Sequence, residues 1–471
     1  MLISRSTLTI MILNMRACLL ALCIRLGVQL LAAASAIDGE VQPQLDQNQG
    51  QHILPGVGYG VELPILSGLQ TDPITLRHLE EKDRLLGRLA KCHGNFDVHH
   101  PRWRLLKTLW SFSKYRDFSK SEVQRWRDLY KSTSKQQKET LEAVVQYRDK
   151  LNTIEHLIDR NALVCDGIVE HALGFYGIEG KELQEFIRDQ EKAGQSPDRI
   201  SVQQSLKHYV RDWAKEGAHE RDSAFPCVRE TLETLYPDRN SGNSSSADRP
   251  TRVLLPGAGL GALGHEVASL GGQFGFEVVQ NEWSTYMIAA YRYLEARSAP
   301  GSVVFHPFID SLSHHATNAN MMAPVRTPEE QFDASSVLMV EGDFTQVFSD
   351  AAGTYDVIIT HFFLDTARNL MSYLETIHQL LRPGGYWINF GPLLYGTGPF
   401  VQLSLEEIVL VSEAMGFDFQ DLPETYGEQS LPGTAGALSK VRSKYAAYGF
   451  DERELKRNAY MAQAWLARKV R

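Results

Sequence analysis

Two periodicities divide the chain. From Leu76 to about Tyr176, apolar residues recur at three- and four-residue intervals, as in LRHLEEKDRLLGRLAKC and LEAVVQYRDKLNTIEHLIDRNALVCDGIVEHALGFYG. That spacing gives each helix one apolar stripe, so the segment reads as packed helices. The pattern resumes over Ser201–Tyr236, where Pro226 predicts an interruption. A polar, Ser/Asn-rich stretch, Asp238–Pro250, then reads as a surface loop. Beyond it, short apolar runs alternate with helical stretches. Thr251–Pro256, Phe276–Asn281, Ser336–Val340, Tyr355–Leu364 and Gly385–Phe390 read as buried strands. Helices are expected through Leu270 and over Ser284–Ala296, Ala367–Leu381 and Ser404–Met415. Phe417–Leu422 and Tyr460–Ala467 read as closing strands. Strands alternating with helices imply a parallel sheet covered on both faces. The expected fold class is α/β: a Rossmann-like sheet domain over 251–471, preceded by a helical subdomain over 76–238. Residues 297–335 lack clear periodicity and form a long insertion, a length typical of functional or disordered loops. One reading makes it a lid over the substrate.

Upstream, Met11–Ala36 is apolar and ends in Ala34-Ser35-Ala36, as signal peptides do. Arg16 and Arg25 interrupt it, whereas a bilayer span wants about 20 apolar residues. No stable membrane span is expected; residues 1–36 are either a cleaved secretory signal or a non-secretory leader. Residues 37–75 carry Gly, Pro and Gln without periodicity and read as a disordered linker. Asn243-Ser244-Ser245 is a glycosylation sequon only if the chain is secreted.

Composition is that of an ordinary globular protein, 43% hydrophobic and 22% charged over 471 residues. A net charge of -9 without a long Lys/Arg run excludes a nucleic-acid backbone as the expected partner. The five cysteines are scattered, so neither a disulfide framework nor metal spacing is indicated. His93, His99, His100, His156 and His171 also lack ligand spacing and read as surface or packing residues. His314-His315 has no third ligand nearby, and no metal is expected.

Candidate chemistry begins at Val253–Glu266, VLLPGAGLGALGHE. Gly259, Gly261 and Gly264 fit the dinucleotide fingerprint G-x-G-x-x-G, while Pro256–Gly261, PGAGLG, fits the glycine loop of S-adenosylmethionine (SAM) enzymes equally well. Glycines at such a turn let the backbone approach the ligand closely. Glu282 closes the second strand, where a carboxylate accepts ribose hydroxyls of either ligand. Later residues discriminate. Gly342-Asp343-Phe344 supplies an acceptor for an adenine amino group with an aromatic beside it. Leu381-Arg382-Pro383-Gly384-Gly385 is a turn frequent in SAM enzymes and foreign to the NAD fingerprint. No second glycine turn marks a second mononucleotide half. SAM is the expected cofactor; an NAD-dependent oxidoreductase is the competing enzyme reading. Gly264 then serves helix–sheet packing rather than a pyrophosphate.

PGAGLG, NEW (Asn281–Trp283), GDF (Gly342–Phe344), FFLDTARN (Phe362–Asn369), INFGPLLY (Ile388–Tyr395) and VRDWAKEGAHERD (Val210–Asp222) together resemble the carnosine N-methyltransferase family. The resemblance covers about 101–471 and is strongest over 205–295 and 340–396. It implies a class I SAM-dependent methyltransferase that transfers methyl to an imidazole nitrogen of carnosine, giving anserine. It also implies a cytoplasmic location, with the nucleus as a second site, while the leader leaves secretion open. By resemblance, His208 and Arg211 reach SAM from the preceding helix, His208 standing where the family has Gln. Gly257, Glu282, Asp343 and Phe344 match cofactor contacts, with Gly259 and Gly261 completing the turn. His361 occupies a further cofactor position where the family shows another residue. Asp365 matches the acidic residue that meets the substrate imidazole. Tyr460 matches one of two C-terminal tyrosines, and Asn458 falls where the other is expected. After GPLLY the family has a His that contacts the dipeptide; here the residue is Gly396. That difference leaves the acceptor open among carnosine, a related histidine-containing peptide and a different small amine. A homodimer is compatible with the pattern.

Each residue also has a plainer reading. Asp365 precedes a predicted helix and is a favoured N-cap residue. Arg211 pairs either with a SAM carboxylate, bidentately, or with Asp212 or Glu216. Trp213 and Trp283 read as core. Tyr395 and Tyr460 either bond substrate or satisfy a backbone partner. A non-catalytic scaffold that works through its helical half is the reading outside enzymology.

Overall fold

The computed structural model describes residues 75–240, 249–271, 275–396, 398–449 and 451–470. The leader 1–36, the linker as far as residue 74 and the sequon at Asn243 lie outside the described residues.

Helices Leu76–Leu89, Pro101–Ser113, Tyr115–Lys131, Lys135–Val145 and Tyr147–Tyr176 open the described chain, followed by Gly180–Lys192, Arg199–Trp213 and Ala218–Leu235. The 30-residue helix Tyr147–Tyr176 buries Leu151, Ile154, Ile158, Cys165, Ile168 and Ala172 at helical spacing and forms the axis of the helical core. Pro226 does not interrupt the helix Ala218–Leu235 but lies inside it. The missing N–H costs one backbone bond, but Ala224, Cys227, Val228 and Leu232 pack onto the sheet and hold the helix on both sides of it. The break falls earlier, at the turn Lys215–Gly217. There a Cβ on Gly217 would lie 2.1 Å from the Val210 carbonyl oxygen, so the turn admits only glycine.

The strands are β1 (Thr251–Pro256), β2 (Phe276–Glu282), β3 (Val303–Phe305), β4 (Val325–Thr327), β5 (Val337–Glu341), β6 (Tyr355–His361), β7 (Leu381–Gly391), β8 (Phe417–Gln420), β9 (Glu428–Gln429), β10 (Arg442–Ala447) and β11 (Ala459–Lys469). The main sheet has the order β5-β2-β1-β6-β7-β11-β10-β9, with β8 also pairing β11. Its first five strands are parallel; Leu254 of β1, for example, sits between Val279 of β2 and Ile358 of β6. Both faces are covered, which is why β1 and β6 read as unbroken apolar runs. Beyond β7 the direction reverses: β11 runs antiparallel to β7, with Leu466 opposite Ile388, and β10 antiparallel to β11. A dinucleotide fold continues with parallel strands at that edge. This sheet instead closes with antiparallel strands.

Further expectations are corrected. The fourth predicted strand stops at His361, not Leu364, because Phe362 turns out of the sheet with φ 52°. The next helix begins at Leu370 rather than Ala367, with Asn369 at its N-cap, so Asp365 is not a cap. Trp283 is 57% exposed, not core. The insertion 297–335 is also not structureless. It holds the β3–β4 hairpin and a short helix, Asn318–Met321, and buries Phe305, Phe308, Ile309 and Val325 in the helical core. Asn161 grips it, donating to the His306 carbonyl at 2.8 Å and accepting from the His306 N–H at 2.7 Å. Strands of three residues are too short to show alternation in sequence. Among the described residues, no helix is long and apolar enough to cross a membrane.

Candidate active site

A cavity opens at the carboxyl ends of β1, β2 and β6, the end at which open α/β sheets bind ligands. Its lining includes His208, Arg211, Gly257, Gly259, Glu282 and His361 from the predicted set. The glycine turn explains why Gly257 has no substitute. Its φ is 67°, and a Cβ would fall 2.3 Å from the Phe363 ring. Gly261 caps the following helix with φ 85° and lies outside the lining. Gly264 faces Gln280, whose Nε2 would be 1.8 Å from an added Cβ and which donates to the Gly261 carbonyl at 2.6 Å. It packs on Gln280, as expected, and also borders the cavity.

Glu282 ends β2 with its carboxylate already engaged. Oε2 accepts from the Gly259 N–H at 2.8 Å, and Oε1 accepts from the Trp283 and Ser284 N–H groups at 2.7 Å. Burial pushes its pKa up, against those three donors. Asp343 follows β5 at the same end of the sheet, where the Gly342 N–H bonds the Glu282 carbonyl at 2.8 Å. Its Oδ1 accepts from Thr345 N and Oγ1 at 2.9 and 2.7 Å. Phe344 points into the core against Phe348, Phe363 and Tyr373, so its ring is not a cavity wall. Trp283 lies beneath the Arg104 guanidinium, 3.7 Å from its ring centre.

Arg211 comes from the helix Arg199–Trp213 and pairs with Asp212 at 2.8 Å, while its Nη1 reaches the Tyr448 hydroxyl at 3.3 Å. Burial opposes the charge, but Asp212 and Tyr448 together outweigh it and raise the pKa. His208 and His361 are both held neutral, first by burial and then by Arg211; His361 falls to about 3. The site thus sets the Arg211 guanidinium beside neutral rings, with Arg221 a second cation in the lining.

The three residues expected on the substrate side, Asp365, Tyr395 and Tyr460, fall outside the cavity lining, which reaches Thr366 and Tyr448. Asp365 lies in the turn Leu364–Thr366 and accepts from the Leu394 N–H through Oδ2 at 3.2 Å. Burial raises its pKa to about 6. Tyr395 and Tyr460 are raised too, chiefly by burial and further by the charge of Asp365, which places all three in one electrostatic neighbourhood. Tyr395 donates to the Leu403 carbonyl at 3.0 Å, the plainer of its two readings. Gly396 is exposed, with nothing within 4 Å of a Cβ.

Asp212 and Tyr448 are two of the lining residues that escaped the sequence. Asp212 lines the cavity and accepts from the Leu260 N–H at 3.0 Å, bracing the glycine turn. Its signal was adjacency to Arg211, read only as an ion pair. Tyr448 lines the cavity opposite Asn458, whose carbonyl accepts from the Tyr448 N–H at 2.9 Å. No linear signal ties residues across that hairpin.

The carnosine N-methyltransferase family model matches residues 189–471. The carnosine N-methyltransferase of Mus musculus is 30% identical over 329 residues, covering 68% of this chain and 78% of that protein. That of Schizosaccharomyces pombe is 30% identical over 342 residues, covering 67% and 87%. Among solved structures, a CurJ carbon methyltransferase aligns with 84% of this chain and 99% of its own, at 13% identity and a TM-score of 0.34. With a family model spanning its whole sheet, the chain belongs to the carnosine N-methyltransferase family of SAM-dependent enzymes.

Proposed function

We propose that this enzyme methylates an imidazole nitrogen of carnosine or a related small histidine-containing peptide, and that Asp365 orients the ring. The observation that carries this is a half-buried carboxyl, with its pKa raised to about 6, one residue before Thr366 of the cavity lining. The cavity fits SAM. A turn without Cβ atoms at Gly257 and Gly259 admits a backbone-hugging ligand, with Gly261 shaping the helix start behind it. Glu282 and Asp343 stand at the ends of adjacent strands for ribose and adenine, with the Phe344 backbone next to them. Arg211, His208 and His361 serve the amino-acid end of SAM. When bound, SAM supplies the methyl group as an electrophile on a sulfonium.

The chain's own task is alignment and proton placement. A neutral imidazole has one nitrogen with a free lone pair and one N–H. Asp365 accepts that N–H through Oδ1, because Oδ2 is engaged by Leu394. The bond fixes the tautomer and aims the other nitrogen at the methyl. As the ring becomes cationic, the carboxylate stabilises it. The far N–H proton then passes to Asp365, whose pKa near 6 allows onward release at neutral pH. Tyr395 and Tyr460 flank the peptide.

Gly396 favours a second acceptor, a histidine-containing peptide other than carnosine, because no side chain stands where the family has an imidazole. The test is incubation with labelled SAM and a panel of histidine-containing di- and tripeptides, read by mass spectrometry. Methylation on an imidazole nitrogen is expected. Methylation of none of them refutes the proposal.

A further inference from the structure

Among the described residues, none of the insertion 297–335 lines the cavity. Its last stretch nevertheless reaches the glycine turn through one intermediary, Trp213. The turn needs such a hold at Leu260. That residue stands between Gly259 and Gly261, which have φ 60° and 85°. Two glycines there leave the peptide groups around Leu260 free to rotate unless something outside the turn fixes them. Leu260 is fully buried, so its N–H and carbonyl also need partners. Both partners come from the end of the helix Arg199–Trp213. Asp212 Oδ2 accepts from the Leu260 N–H at 3.0 Å, and Trp213 Nε1 donates to the Leu260 carbonyl at 2.7 Å. Asp212 is itself in the cavity lining, whereas Trp213 lies outside it.

The insertion grips Trp213 by ring and by backbone. Phe332 packs on the indole with ring centres 4.4 Å apart and planes 34° apart. His265 stands edge-on to both rings, at 5.3 and 4.5 Å, and its Nε2 shares a hydrogen bond with the Tyr291 hydroxyl at 2.9 Å. The Glu329 N–H bonds the Trp213 carbonyl at 3.0 Å. The Pro328 carbonyl accepts from the Gly301 N–H at 2.8 Å, which ties this stretch back to the start of the insertion. A phenylalanine at 213 would fill the same space; only an indole also donates to the turn.

We propose that the insertion braces the cofactor turn, and that Trp213, gripped by Phe332 and Glu329, is the positioning residue through which it acts. Asp212 holds the peptide before Leu260 and Trp213 the peptide after it. The backbone of Gly259, which lines the cavity, then keeps one orientation toward SAM. Loosening the brace weakens the hold on SAM while leaving the acceptor's contacts in place.

The experiment uses the full chain. Trp213→Phe keeps a ring and removes the donor. Phe332→Ala removes the grip at a half-buried position without touching the turn, and Phe332→Tyr is the conservative control. The Kd of SAM and of S-adenosylhomocysteine is measured by calorimetry, with circular dichroism reporting that each variant is folded. Trp213→Phe should raise both Kd values about tenfold, the effect of a buried carbonyl left unpaired. Phe332→Ala should raise them several-fold, and Phe332→Tyr should bind like wild type. The double variant Trp213→Phe/Phe332→Ala should bind no more weakly than Trp213→Phe alone, because both changes act on one contact. In labelled-SAM assays the loss should fall on the KM for SAM and spare the KM for the acceptor. Wild-type SAM affinity in folded Trp213→Phe or in folded Phe332→Ala overturns the brace, and so does an additive loss in the double variant.

Discussion

Replacing Asp365 by Asn keeps the shape of the side chain and removes its charge. The Leu394 N–H can still bond the amide oxygen, so the turn should survive. What is lost is a carboxylate facing a ring that becomes cationic. Two unit charges at 4 Å interact by about 4 kcal/mol at an effective dielectric of 20. Asp365 is only partly buried, so water screens part of that, and roughly 2 to 3 kcal/mol remains. At 1.36 kcal/mol per decade, kcat should fall by about a hundredfold. SAM affinity, measured by calorimetry, should not change. The pH profile adds a sharper sign. Below pH 6, wild type loses kcat/KM through two protonations: Asp365, with its pKa about 6, and the free acceptor imidazole, near 6.5. The limiting slope of log kcat/KM against pH should be about 2 for wild type and about 1 for Asp365→Asn. Stability should move the other way. The folded carboxyl has a raised pKa, so its stabilising protonation is complete below about pH 4 and lost as pH rises through 6. The Asn variant should therefore unfold at higher denaturant than wild type at pH 7, with the gap closing below pH 4. Full turnover in Asp365→Asn with intact SAM binding would falsify the assignment.

Gly396→His returns an imidazole to an open, unstrained position, and the KM for carnosine should drop several-fold in steady-state assays; no change means that position does not touch the acceptor. Gly264→Ala drives a methyl into buried Gln280 and should cost about 1 to 3 kcal/mol of unfolding free energy in denaturant titrations. A variant as stable as wild type would refute the close helix–strand contact. Glu220→Ala strands the Gly449 N–H, which its carboxylate now accepts at 2.8 Å, a loss of about 1 to 3 kcal/mol. Because Gly449 follows Tyr448, the acceptor KM should rise more than the SAM Kd; the reverse order would show that the hairpin serves the cofactor alone.

The parallel half of the sheet was legible because its strands are buried on both faces and its turns carry glycine. Gly257, Glu282 and Asp343 sit at strand ends, where linear order already fixes their place. Legibility failed where local chemistry was overridden. Pro226 marks a break that helix packing prevents. Asp365 looks like a cap only until Phe362 shortens the strand before it and Asn369 takes the cap. The β3–β4 hairpin has too few residues to alternate. Tyr448 was out of reach because its place depends on the pairing of β10 with β11, and its partners Phe362 and Arg211 are far off in sequence.

The glycine turn explains why the helical half matters to the site. A glycine turn exposes backbone N–H and C=O groups that need partners when buried. Here the helical half supplies them. Asp212 accepts from the Leu260 N–H, and Trp213 Nε1 donates to the Leu260 carbonyl at 2.7 Å. Arg221 donates to the Arg211 and Ala214 carbonyls at 2.6 and 2.9 Å, locking the turn between the two helices that face the cavity. Glu220 holds the far hairpin at Gly449. Arg211, fixed by Asp212, then reaches from the glycine turn to Tyr448. The glycine turn and the C-terminal hairpin are therefore joined through side chains of Arg211, Asp212 and Glu220. None of these belongs to the sheet. A scaffold role for the helices apart from catalysis would leave that chain of buried charges without a purpose, whereas methyl transfer needs both ends held in one geometry.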